Sequence, residues 1–235
     1  MEEFGVELLR YYDHFVIPFT VGVGALFAVL IYKYVRWFVR LPREDKRSGR
    51  RGIFTKQTVY AVGEVFSESL LHRRIFRVNP VLGYMHMSLA FGWFLLIAVG
   101  WVEASMHLKG NIIPLHAHVF YKFFAPCAYY DMTSKVLSTV MDLLLLMVLS
   151  GVALAWFKRL RSRALGMKRT TKHTLGDRVA LTALWFVFPT RLLADSAASG
   201  IKGADSFLTG NIGAWMVDSF GLDAVAQFST VAWWV

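Results

Sequence analysis

The sequence predicts an all-α, polytopic membrane helix bundle: four full transmembrane helices plus a truncated fifth, with the N-terminus outside. Three observations predict it. Of 235 residues, 56% are hydrophobic and only 18% are charged, whereas a soluble domain carries about a quarter charged residues. The mean hydropathy is +0.45 although the formal net charge is +10. A single soluble domain of this size cannot bury so much apolar surface. Third, the charge is gathered in short stretches between apolar runs long enough to cross a bilayer, which takes roughly 20 residues for a hydrocarbon core about 30 Å thick. Together these exclude a soluble enzyme domain and a disordered chain. The single cysteine, Cys127, excludes an intrachain disulfide and a thiolate-ligated iron–sulfur cluster within these residues.

The first span is expected over about residues 15–39, with Lys33 and Arg36 near its end, where long side chains snorkel to the interface. The second covers about residues 80–102 and contains one histidine and no charge. The third, about residues 136–157, holds the most apolar stretch of the chain, LLLLMVLSGVALAWF. A fourth, about residues 178–194, is shorter and is interrupted by Pro189 and Arg191. A fifth apolar run starts near Asp223 and reads AVAQFSTVAWWV. From Asp223 onward only about 20 Å of helix is available, short of a crossing. One reading makes Trp233 and Trp234 an interfacial belt on a peripheral segment. The other, which we take as the expectation, makes residues 1–235 the N-terminal, membrane part of a longer protein whose fifth span is cut.

Orientation follows from Lys and Arg. The segment between the first two spans (YVRWFVRLPREDKRSGRRGIFTK, then LHRRIFR) and the one between the third and fourth (KRLRSRALGMKRTTKH) are strongly basic, and both should face the cytoplasm. Loops 103–135 and 195–222 carry few Lys or Arg and should face outward. The acidic start, MEEFGVELLRYYDH, lacks the basic region of a signal peptide. Positive-inside bias accounts for the basic runs without nucleic acid. Residues 56–77 mix Val59, Val62, Val65, Phe66 and Leu70 with Glu64, Glu68 and Arg73. That spacing suits an amphipathic helix on the inner surface, or a docking face for a soluble partner.

Of seven histidines, His14, His72, His107, His116, His118 and His173 fall near boundaries or in loops, and only His86 lies well inside a span. It sits roughly 9 Å from the inner end. Polar groups at such depth are costly and tend to mark function. His86 reads as a haem ligand, a proton relay or a quinone contact, or as a histidine hydrogen-bonded across helices. Gly83, Phe91, Gly92 and Trp93 around it favour haem, because glycines let a flat macrocycle approach. A six-coordinate haem needs two ligands at matching depth, and no second histidine here offers that. Asp142 is either a proton or quinone group or a paired carboxyl near the outer interface. Arg191 and Asp195, spaced i,i+4, should pair. Arg73, Arg74 and Arg77 either meet haem propionates or simply obey the positive-inside bias. His116 and His118 make at most a weak metal pair.

The stretch LHRRIFRVNPVLGYMHMSLAFGWFLLIAVGWVEA, with Gly83-Tyr84-Met85-His86 followed by Phe91-Gly92-Trp93, resembles the second-helix region of a respiratory cytochrome b family. That family includes the gamma subunit of nitrate reductase and the membrane domain of heterodisulfide-reductase-like iron–sulfur proteins. The Asp-His-Phe-Val-Ile-Pro start and the five-span order are similar too. The resemblance implies a membrane electron-transfer module of an oxidoreductase in the inner (cytoplasmic) membrane. It implies exchange of electrons between quinone and an iron–sulfur protein, or a C-terminal iron–sulfur domain, on the cytoplasmic side. It also implies b-type haem with His86 as the metal ligand nearer the cytoplasm and a second ligand from the fifth helix, beyond Val235. Two-haem members place another histidine about ten residues on. Leu96 stands there in this chain, so one haem is expected. The alternative function is a haem-free membrane anchor or assembly subunit. A transporter would show inverted repeats, and none is visible.

Overall fold

The computed structural model describes residues 2–43, 56–107, 121–124, 132–166 and 174–234, and within them the only regular structure is helix. In chain order the helices are α1 (Glu2–Arg40), α2 (Lys56–Val65) running into a π-helical turn (Phe66–Leu70), α3 (Arg73–Val78), α4 (Pro80–His107), the single turn α5 (Tyr121–Phe124), α6 (Met132–Ala164), α7 (Leu175–Ile201), α8 (Thr209–Phe220) and α9 (Leu222–Ala232).

Among the described residues, three helical stretches are long and apolar enough to cross a membrane: Phe15–Arg40, Pro80–Met106 and Lys135–Ala164. At 1.5 Å per residue each measures roughly 39–45 Å, more than the hydrocarbon core. α7 has a comparable length, 27 residues, and carries Pro189 within it. Much of this apolar surface has no protein over it. Along α1, Leu26, Phe27, Ile31, Trp37 and Val39 are all exposed, as are Trp93, Phe94 and Ile97 on α4. Leaving one such side chain in water costs roughly 1.5–3 kcal/mol, and a soluble monomer does not carry so wide a patch. Hydrocarbon is the solvent that suits it.

α4 and α6 form an antiparallel pair that touches through small residues. Cβ atoms added to Gly92 would meet Val148 and Met147, and one added to Gly151 would collide with Ser88. Tyr84 Oη and Ser150 Oγ share a hydrogen bond of 2.7 Å across the seam. Close backbone approach by glycine and serine is the usual way helices associate where lipid removes the hydrophobic drive. Leu96 of α4, Met141, Leu145, Val148 and Val152 of α6, and Phe188 of α7 make one buried cluster. The start of α4 is set by Asn79, whose Oδ1 accepts the Leu82 N–H at 3.0 Å ahead of Pro80, a sound first helical residue.

Two expected features take a different form. Residues 195–222 are not an open loop: α7 continues to Ile201, and α8 follows after a short turn. α8 is held by a Gly200–Gly213 contact so close that neither position has room for a Cβ. Gly221 then breaks the chain between α8 and α9 at φ 82°, ψ 155°, a conformation that only glycine adopts readily. The apolar run expected from Asp223 is therefore a separate helix, α9. It packs on α7 through Ala197 and Val225, and Arg191 lies 5.9 Å from the Trp233 ring.

Residues 56–77 are likewise not one surface helix. They break at His72, which has φ 52° and ψ 40°. The part from Phe66 onward folds back antiparallel on α4, with Phe66 edge-on to Phe91 at 5.8 Å and Phe76 filling the space beside Gly83. α1 packs against the rest of the bundle around Phe15 and Val16. There Phe15 and Val16 are buried, with Phe15 against Phe123 at 5.1 Å and Trp234 at 5.2 Å.

Candidate functional site

The basic end of the bundle is where α4 begins and α6 ends. His86 projects from α4, one turn beyond Leu82, and is half-buried. It is the only imidazole in the three apolar spans. Its ring lies 5.4 Å from that of His72, centroid to centroid, with planes 16° apart. His72 reaches it because the backbone turns left-handed there, a region that histidine enters more readily than most residues. His72 Nδ1 is 3.2 Å from the Leu70 carbonyl oxygen, which fixes the ring. Around the pair, Arg74 bonds to Glu64 at 3.4 Å and to Glu68 at 3.4 Å, tying the folded-back segment together. Arg73 and Arg77 are exposed.

Sequence reasoning placed His72 outside the core and away from His86. The structure brings the two together. The signal was present in the spacing: His72 and His86 stand equally far either side of Asn79, where two helical segments meet at an Asn-Pro turn.

The b-type haem implied by the resemblance can be tested against these residues. Two axial imidazoles must stand on opposite faces of the macrocycle with a nitrogen from each directed at the iron. His72 and His86 instead lie nearly parallel in a stack. The glycines that looked open to a macrocycle are occupied by protein, Gly83 by Phe76 and Gly92 by Val148 and Met147. The described residues thus fit one axial position, through His86, and offer no second imidazole opposite it. Among them no group of three or more His, Cys, Asp or Glu gathers to hold a metal ion. His116, His118 and His173 lie outside the described residues, as do Cys127 and the side chains of His14 and His107.

The far end of the bundle holds the other candidates. Asp142 is almost completely buried. Its Oδ2 accepts the N–H groups of Leu208 (2.7 Å) and Thr209 (3.1 Å), and its Oδ1 accepts the Thr209 hydroxyl (2.9 Å). Ser206 Oγ accepts the Gly210 N–H at 2.7 Å. The carboxylate on α6 therefore caps the N-terminus of α8, where unpaired N–H groups and the helix dipole favour an anion. Among the described residues every donor to Asp142 belongs to this cap. No sequence motif announced this, because the partners are far apart in the chain.

Arg191 donates to Asp195 at 3.2 Å, as their i,i+4 spacing predicted. Lys202 donates to the carbonyls of Lys122 and Phe123, the latter at 2.8 Å, and so fastens α5 to the end of α7.

No protein-family model matches this chain, and no curated protein or solved structure matches it either.

Proposed function

We propose that this chain is the membrane module of an electron-transfer complex of the respiratory cytochrome b type, with His86 as an axial ligand for one b-type haem. The observation that carries the reading is His86 itself: a half-buried imidazole on an apolar span, one to two turns from a basic end. An imidazole there is hard to explain as packing, since a phenylalanine would cost less in hydrocarbon. Haem, when bound, supplies one-electron transfer between quinone and an iron–sulfur partner. The chain's own residues would orient and shield it. The His86 ring nitrogen gives the ligand, Arg73 and Arg77 provide cations for carboxylate groups at the basic rim, and α4 and α6 exclude water.

In this reading α7 and α9 belong to the fourth and fifth spans, the basic segments face the cytoplasm, the N-terminus lies outside, and the membrane is the inner one. A cysteine introduced at Arg50 should then resist labelling by an impermeant maleimide in intact cells. Labelling there would reverse the topology.

The functional test is a reduced-minus-oxidised absorption spectrum of the full-length protein, purified in detergent from membranes. The b-type signal should disappear in His86→Ala and persist in His116→Ala and His118→Ala. A full six-coordinate spectrum in His86→Ala would defeat the ligand assignment.

A second reading is supported by specific packing. With Gly83 and Gly92 filled and His72 stacked on His86, the segment is also complete as a haem-free anchor that docks a soluble redox partner. The same spectrum separates the two, since the anchor has no haem signal in any variant.

A further inference from the structure

At the basic end, α6 and α7 meet through an aromatic cluster that the proposed function does not use. Trp156 and Trp185 lie 5.3 Å apart, and Trp156 is edge-on to Phe186 at 6.4 Å. Arg159, one helical turn beyond Trp156, holds its guanidinium 4.6 Å from the centre of the Trp185 ring. Among the described residues the ion pairs are Arg74 with Glu64 and Glu68, Lys135 with Asp205, and Arg191 with Asp195. Arg159 thus has no carboxylate beside it. Its cation is positioned by a ring face, and no acceptor among the described residues takes its N–H donors.

The neighbourhood specifies what those donors would meet. On the bundle side of Arg159 lie exposed apolar groups, Trp156, Phe157 and Phe186, which suit hydrocarbon better than water. On the other side the helix continues into Arg161 and Arg163. A ligand suited to this place carries an anionic oxygen pair for a guanidinium fork and apolar chains immediately below it. Inorganic phosphate has only the first feature, and an acidic protein surface lacks the second.

We propose that Arg159 and Trp185 form a headgroup site for an anionic phospholipid, with Trp156, Phe157 and Phe186 supporting its acyl chains. The guanidinium, ordered on the indole, donates to the phosphate. The site differs from the general attraction of a basic rim for anionic lipid in needing the shape of arginine and the ring beneath it, not charge alone.

The test keeps the charge and removes the shape. The purified protein is titrated with phosphatidylglycerol or phosphatidylcholine of matched chains, and bound lipid is read by native mass spectrometry. Phosphatidylglycerol should bind more tightly than phosphatidylcholine. Arg159→Lys and Trp185→Leu should each weaken phosphatidylglycerol roughly three- to fivefold, the scale of a cation–π contact, and leave phosphatidylcholine unchanged. Arg163→Lys should change neither. The proposal is overturned if Arg159→Lys binds phosphatidylglycerol like the unaltered protein, if the two lipids bind equally, or if millimolar inorganic phosphate displaces the lipid.

Discussion

The two ends of the bundle handle polar groups in opposite ways. At the α8 end the carboxylate of Asp142 is buried and takes three hydrogen bonds from Leu208 and Thr209, and Gly200 and Gly213 pack backbone against backbone. At the basic end, polar side chains stay half-exposed. His72 and His86 stack without a reciprocal hydrogen bond, Arg74 bridges two glutamates at the surface, and Arg159 rests on an indole. A buried group whose donors all come from the chain is committed to structure, whereas a half-buried imidazole with ring nitrogen to spare can take a ligand. Asp142 and His86 thus differ in how fully their polar atoms are engaged by the described residues.

Perturbing the two ends should separate them, beginning with the largest effect. Asp142→Ala leaves two N–H groups and a hydroxyl without an acceptor in a buried site, which should cost roughly 2–4 kcal/mol. Asp142→Asn, which keeps an acceptor oxygen, should cost clearly less. Reversible unfolding in mixed micelles, followed by tryptophan fluorescence, measures both. If Asp142→Ala is as stable as the unaltered protein, the cap is not what holds α8. Gly213→Ala should come next, at about 1–3 kcal/mol, because the added methyl has no space against Gly200. The same unfolding assay checks it, and a neutral result would mean that α8 can shift without loss.

At the other end the effects should be smaller. Asn79→Ala removes the acceptor that starts α4 and should cost about 1 kcal/mol. Arg74→Ala breaks ion pairs whose partners are largely in solvent and should cost less than about 1 kcal/mol. A loss above that in Arg74→Ala would show that the folded-back segment contributes more to the bundle than its exposed contacts indicate.

How much was legible in the sequence follows the same division. α1, α4 and α6 stood out because an apolar run of sufficient length needs no partner to be recognised. Arg191 with Asp195 was legible because both belong to one helix. α8 was hidden: its sequence, TGNIGAWMVDSF, has two glycines in the first five residues, which weaken a helix in isolation. Gly213 is what lets α7 approach, Gly210 leaves room for the Ala204 carbonyl, and the cap comes from Asp142 on another helix. His72 was misplaced for a related reason. Its contact with His86 depends on one left-handed residue and a turn at Asn79, and helical periodicity carries no information about such a reversal.

In the proposed function His86 serves a cofactor, whereas Asp142 serves the fold. Haem content per folded chain, determined chemically on the full-length protein as encoded and purified from its native membranes, tests it most directly in the unaltered protein, His86→Ala and Asp142→Asn. The account predicts one haem per chain in the unaltered protein, none in His86→Ala, and an unchanged ratio in whatever Asp142→Asn protein remains folded. Haem retained at full stoichiometry in His86→Ala, or absent from the unaltered protein, would contradict it.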